Sequence, residues 1–211
     1  MFDDLGGFLM NVIAGLPGLI IAMTIHEYAH ARVADWLGDF TPRMQGRLTL
    51  NPAAHIDPFG LLMLFLIKFG WAKPVMVNPS NFRNPRRDDI LVSAAGPLAN
   101  LLVAFITMLV VVILVKFGFH MSTGMRTVFS LILIYNINFA IFNMLPIPPL
   151  DGSHILRNLL PYELAVRFQA IERYSFLILI VFLMTPVLGM IFVPMQRAIL
   201  HAFESIIHIF L

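Results

Sequence analysis

Residues 90 to 115 contain no charged side chain. A run of this length cannot be folded around in water by a chain this small, and it is long enough as a helix to cross the ~30 Å hydrocarbon core of a bilayer. Lipid offers no hydrogen bonds, so each backbone N–H and C=O in such a run must be satisfied within the chain, which restricts it to helices or a closed barrel. Residues 127 to 145 form a second run of the same kind, and Phe8 to Ile25 supplies most of a third. Charged residues make up only 12 % of the chain and apolar ones 59 %, against about a quarter charged in soluble domains. The expected fold is therefore an all-α polytopic membrane protein, one domain over residues 1–211.

Several classes are excluded early. With no cysteine, neither disulfides nor thiolate metal sites are available. A formal charge of +2 with no basic tract gives no footing for nucleic acid. The start of the chain carries Asp3 and Asp4 and no basic residue before Arg32, unlike a cleaved signal peptide.

The remaining segments are less regular. Residues 38–57 are punctuated by Gly, Pro, Asn and Asp, as turns are. Within them Arg47-Leu48-Thr49-Leu50 alternates polar and apolar, a weak strand signal that leaves room for a small β-hairpin. Residues 59–70 are apolar but rise only about 18 Å as a helix, so a re-entrant or interfacial segment is expected. Residues 154–173 predict a polar-faced helix or pair of helices. Residues 174–193 predict a span bent at Pro186. Over 194–211, Arg197, His201, Glu204 and His208 share one helical face, which predicts an amphipathic helix on the membrane surface. The alternative is a hairpin turning between Thr185 and Gly189.

Chemistry concentrates at His26-Glu27-Tyr28-Ala29-His30. Residues i and i+4 share a helix face, so both imidazoles can reach one metal ion, with Glu27 beside them as a proton acceptor for metal-bound water. Ionisable groups that follow an apolar run cost ~2.5–3.5 kcal/mol each at bilayer depth, which calls for a functional reason. A catalytic zinc commonly has three protein ligands. Asp151 is the candidate third: it follows a span, and the prolines and glycine of Pro148-Pro149-Leu150-Asp151-Gly152 let the backbone turn the carboxylate inward. An ordinary Asp-Gly turn is the competing reading.

Together, HEYAH in an apolar helix, AGPLAN in a middle span and FNMLPIPPLDG after a later one resemble the site-2 protease family of intramembrane zinc metalloproteases. The resemblance runs from about residue 20 to 160. It implies one Zn²⁺ held by His26, His30 and Asp151, Glu27 as catalytic base, and Asn143 as a residue that holds substrate or stabilises the oxyanion. It also implies a three-helix catalytic core, about 8–160, followed by one or two helices in 161–211, and transmembrane proteins as substrates. The chain is similar to the compact branch without PDZ or CBS domains. Because family members carry a small sheet near the site, Met44–Leu50 is expected to hold unwound substrate by strand pairing.

Other polar residues carry weaker expectations. Gly96 is expected to serve helix packing, and Asn100 to hydrogen-bond near the site. His55 and Asp57 could approach the metal or simply belong to an interfacial loop; His154 is expected to be local structure. Two crossings by 90–115 and 127–145 return the chain to the side of His26, provided that 59–70 does not cross. Eleven basic residues (Arg32, Arg43, Arg47, Lys68, Lys73, Arg83, Arg86, Arg87, Arg157, Arg167 and Arg173) then fall on the site's side and two, Lys116 and Arg126, on the other. That bias predicts a plasma or inner membrane protein whose site opens to the cytoplasm. The rival functions are a metal transporter or sensor, which would not need Glu27, and an inactive relative acting as a binding protein.

Overall fold

Lipid-exposed spans pack through small residues, because apolar burial alone does not draw helices together in hydrocarbon. The computed structural model, which describes residues 2–60, 63 and 70–210, follows that rule. Three long helices form the centre: α1 (Phe2–Trp36), then, after a short α2 (Thr41–Met44), α3 (Pro85–Lys116) and α4 (Thr123–Asn143). Ala22, Ala31, Ala104 and Ala140 are buried where these helices meet. Gly18 lets α1 approach α4 closely, since a Cβ there would sit 2.9 Å from the Leu131 carbonyl oxygen. Among the described residues, α3, α4 and the last helix are long and apolar enough to cross a membrane, and α1 carries the apolar run Phe8 to Ile25.

Four further helices follow: α5 (Asp151–Leu159), α6 (Tyr162–Glu172), α7 (Ser175–Leu183) and α8 (Val187–Phe210). The expected pair within 154–173 is thus present, parted at Leu160-Pro161. The expectation of one span over 174–193 and a separate surface helix over 194–211 is corrected. The break falls at Met184–Pro186, as in the hairpin alternative, and α8 continues unbroken through Pro194. Pro186 disfavours helical backbone at Thr185, whose hydroxyl instead donates to the Phe182 carbonyl at 2.7 Å. Pro194 costs α8 a hydrogen bond, but packing on both sides of it, at Ile191 and Phe192 and at Ile199 and Leu200, holds the helix in line.

The strand expected at Arg47–Leu50 is also absent. Arg47 is buried, its guanidinium donates to the Ala54 carbonyl, and His55 bonds the Thr49 carbonyl at 2.8 Å. Side chains thus fold this stretch onto itself instead of leaving a free backbone edge. The bridge that the described residues do show joins Ile56 to Ala72, and no β-hairpin is formed among them.

Residues 61, 62 and 64–69 lie outside the described residues, and with them most of the re-entrant or interfacial segment expected over 59–70. Its flanks are described. Ile56 pairs with Ala72, and the Lys73 N–H donates to the His55 carbonyl at 2.8 Å. The chain therefore returns to the place it left, and the crossings by α3 and α4 bring Asp151 back to the end of α1 that carries His26.

This arrangement predicts opposite sidedness for the two ends of α3. Single cysteines replacing Asn84 and His120, both exposed, should react with a membrane-impermeant thiol reagent from opposite faces of sealed vesicles. Labelling of both from one face would contradict the path described.

Candidate metal centre

His26 and His30 stand one turn apart on α1, and α5 begins with Asp151 directly beside them. The His26 and His30 Nε2 atoms lie 3.1 and 3.3 Å from Asp151 Oδ2, and 3.0 Å from each other. Each histidine is held by its other nitrogen. His26 Nδ1 is 2.8 Å from Asn100 Oδ1, and His30 Nδ1 is 2.7 Å from the Val92 carbonyl oxygen. Both partners are acceptors, so both Nδ1 atoms carry the proton. A neutral imidazole held in this way turns its Nε2 lone pair toward the point where both rings meet the buried Asp151 Oδ2. Three ligand atoms within 4.8 Å of one another can hold a cation, and two imidazoles plus one carboxylate suit zinc.

Asn100 is orientated by the bundle itself. Its amide nitrogen donates to the Ala22 carbonyl at 2.9 Å and to Asn136 Oδ1 at 3.0 Å, which turns Oδ1 to His26. All three central helices thus meet at one buried amide. Gly96 does more than pack helix on helix: a Cβ there would lie 2.5 Å from His30 Nε2 and 2.6 Å from His26 Cε1. Gly152 seats the start of α5 against the end of α4, where a Cβ would fall 2.3 Å from the Met144 carbonyl oxygen.

Glu27 is buried and lines the same cleft, about 300 Å³ in volume, as His26, His30, Asn143 and Asp151. One of its oxygens, Oε2, accepts from the Val75 N–H at 2.8 Å. Asn143 donates through Nδ2 to the Phe139 carbonyl at 2.9 Å. His154 lines the cleft as well, whereas His55 and Asp57 do not.

Four contributors were missed in the sequence. Val92 and Val75 act through backbone groups, which no residue type announces. Asp89 could have been noticed as an acidic residue opening an apolar span. It is buried on α3 and accepts from Asn158 at 2.5 Å and Arg157 at 3.1 Å, tying α5 to the helix whose Val92 carbonyl steadies His30. A second carboxylate, Asp39, anchors the segment that follows the cleft-lining residues 74–77. It accepts from the Asn78 N–H at 2.7 Å, from Asn81 Nδ2 at 2.7 Å, and from the Thr41 hydroxyl at 2.6 Å. Burial pushes the Asp39 carboxyl up, but these hydrogen bonds outweigh it and hold it below the ordinary carboxylate range.

A helical membrane bundle that gathers two histidines, a carboxylate and a neighbouring glutamate in one cleft defines a membrane metallohydrolase. Comparison with known proteins narrows the class. Residues 111–186 match the model of peptidase family M50. YwhC of Bacillus subtilis, named as a candidate zinc metalloprotease, is 42 % identical over 184 residues, covering 85 % of this chain and 84 % of its own. Rip2 of Mycolicibacterium smegmatis and Rip2 of Mycobacterium tuberculosis H37Rv, named likewise, are 30 % and 31 % identical; each match covers 87 % of this chain and 70 % of the relative. No solved structure matches the chain. The chain belongs to peptidase family M50, the intramembrane zinc metalloproteases of site-2 type.

Two substitutions test how the site is supported. Asn100→Leu removes the acceptor that sets the His26 tautomer and should weaken zinc binding about 10- to 100-fold, the usual effect of losing such a partner. Gly96→Ala should weaken it at least as much by displacing an imidazole. Competition with a chromogenic chelator reads both, and parental affinity in Gly96→Ala would refute the close fit.

Proposed function

We propose that the chain hydrolyses peptide bonds in or beside the membrane spans of other proteins, with His26, His30 and Asp151 holding one zinc and Glu27 carrying the proton. The observation that carries this reading is the convergence of three metal-ligand atoms, from His26, His30 and Asp151, beside a cleft into which Glu27 also opens. A transporter would have no use for that glutamate, and an inactive relative would not be expected to retain the whole set.

Zinc bound by these residues would polarise the scissile carbonyl and lower the pKa of its water. Glu27 accepts the water proton on one carboxylate oxygen and delivers it to the leaving amine, while the Val75 N–H holds the other oxygen and fixes the carboxylate's direction. Asn143 is a polar side chain on the cleft wall, and its amide is suited to donate to the carbonyl oxygen as charge develops there, once it gives up the Phe139 carbonyl. Water and polar backbone reach the site through the cleft, on the side that carries Arg83, Arg86, Arg87, Arg157 and Arg167. By the positive-inside bias that side is the cytoplasm. The whole chain, 1–211, serves as a single membrane-embedded catalytic domain.

Substrate backbone must be locally unwound before its carbonyls can be attacked, since helical carbonyls are tied to residues four positions on. The Arg47–Leu50 stretch offers no edge for it. Residues 74–77 line the cleft instead and belong to no helix, so their backbone is the better candidate surface.

Glu27→Gln should keep one zinc per chain and lose hydrolysis of a transmembrane substrate about 10²- to 10⁴-fold. Asp151→Ala should lose metal and activity together. Elemental analysis and a gel-based cleavage assay on purified protein measure the two properties. Full zinc occupancy and activity in Asp151→Ala would remove the third ligand, and undiminished cleavage by Glu27→Gln would remove the base.

A further inference from the structure

The turn after α4 leads into Asp151-Gly152-Ser153-His154-Ile155-Leu156-Arg157. Gly152 and Ser153 are buried, the one against the Met144 carbonyl and the other donating to the Leu150 carbonyl at 2.6 Å. They fix how α5 lies on the bundle. Asp151, His154 and Arg157 stand three apart, as a stripe along one face of the helix, and all three line the metal cleft. Asp151 belongs to the ligand cluster. Arg157 is engaged by Glu172 Oε1 at 2.8 Å and by Asp89 Oδ2 at 3.1 Å. His154 stands between them with its side chain 41 % exposed.

The edge of His154 that the protein holds determines what the other edge can do. Nδ1 is 3.2 Å from Arg157 Nη2. A guanidinium only donates, so Nδ1 accepts and the ring hydrogen is on Nε2. Asp89 Oδ2 lies 3.8 Å from Nδ1, too far to take a hydrogen bond from it. Arg157 is itself held from α3 through Asp89 and from α6 through Glu172. Nε2–H has no acceptor among the described residues, so this donor is open to a molecule that enters the cleft.

An oxygen that gains negative charge is the matching acceptor. In peptide hydrolysis that oxygen is the one on the scissile carbonyl, and it sits beside the metal ligands. Residues three apart on a helix have Cβ atoms about 5–6 Å apart, which puts an imidazole at 154 within reach of a group held next to Asp151. The other polar side chains there are less ready to donate. Glu27 is a carboxylate with one oxygen on the Val75 N–H, and Asn143 has first to release the Phe139 carbonyl. We propose that His154 is a catalytic residue whose Nε2–H stabilises the scissile oxygen as the carbonyl turns tetrahedral, with Arg157 as the positioning residue that fixes the donor. His154 neither binds the metal nor transfers a proton; it makes one hydrogen bond that strengthens as charge develops. The proposal rests on the hydrolytic function proposed for the same site.

Zinc content, turnover and ligand binding are measured on the purified full chain carrying His154→Ala or His154→Gln. Glutamine sets an amide N–H where Nε2–H stood. Both variants should keep one zinc per chain. His154→Ala should lower kcat and kcat/KM together, about 10²- to 10³-fold, with KM unchanged, and His154→Gln should recover much of that loss. A second measurement needs no turnover. A phosphinic peptide, whose tetrahedral oxygens mimic the charged one, should bind His154→Ala more weakly than the parent by the same factor. Uncleaved transmembrane substrate should bind Glu27→Gln with and without His154→Ala equally well. Loss of zinc in both His154 variants, a rise in KM alone, or equal binding of the phosphinic peptide by His154→Ala and the parent would each overturn the proposal. Undiminished cleavage by Glu27→Gln strikes the assignment of the base, whereas equal phosphinic binding strikes His154 alone, so the two failures are told apart.

Discussion

The hydrogen bonds made by the two Nδ1 atoms govern the metal centre. Each imidazole turns Nδ1 outward to an acceptor, Asn100 or the Val92 carbonyl, and so directs Nε2 inward. Without those acceptors either ring could take the other tautomer or bond Asp151 as a donor, and the cluster would be a closed hydrogen-bonded triad. The acceptors come from α3, the imidazoles from α1, and the carboxylate from the turn after α4. The bundle is thus less a container for the site than the device that orients its ligands. Asn100 concentrates this role, since its amide also grips Ala22 of α1 and Asn136 of α4.

Much of this was legible in the sequence because membrane chemistry leaves few choices. A charge-free run has to be a helix, and histidines four apart on a helix have to share a face. Asp151 was singled out by the same logic, as a carboxylate at a helix exit with prolines and a glycine to turn it. The clustering of His26, His30 and Asp151 agrees with that reading, as do the hydrogen bond from His26 to Asn100 and the place of Asn143 in the cleft.

What could not be read there depends on groups that residue identity does not reveal. The Val92 carbonyl and the Val75 N–H are backbone atoms that matter only through tertiary placement. The alternation at Arg47–Leu50 suggested a strand, but pattern alone does not know that Arg47 will reach Ala54 and curl the segment. Near the end of the chain, two prolines carried opposite outcomes. Pro186 ends a helix because Thr185 and the turn after it offer an alternative partner for the freed carbonyl, whereas Pro194 is overridden by packing against α4 and α3. Local propensity is symmetrical between them, and tertiary contacts decide.

Residues 74–77 are attached to the first helix at two points. Val75 touches Glu27, and the strand of chain just beyond it is pinned through Asn78 and Asn81 to Asp39, three residues past the end of α1. Glu27 belongs to that same α1. Glu27 and the segment that holds it are thus both fastened to α1. Through Phe82 and Val77 the same segment also packs on Ala34 of α1 and Val92 of α3, so the backbone that holds Glu27 and the carbonyl that steadies His30 rest on one cluster.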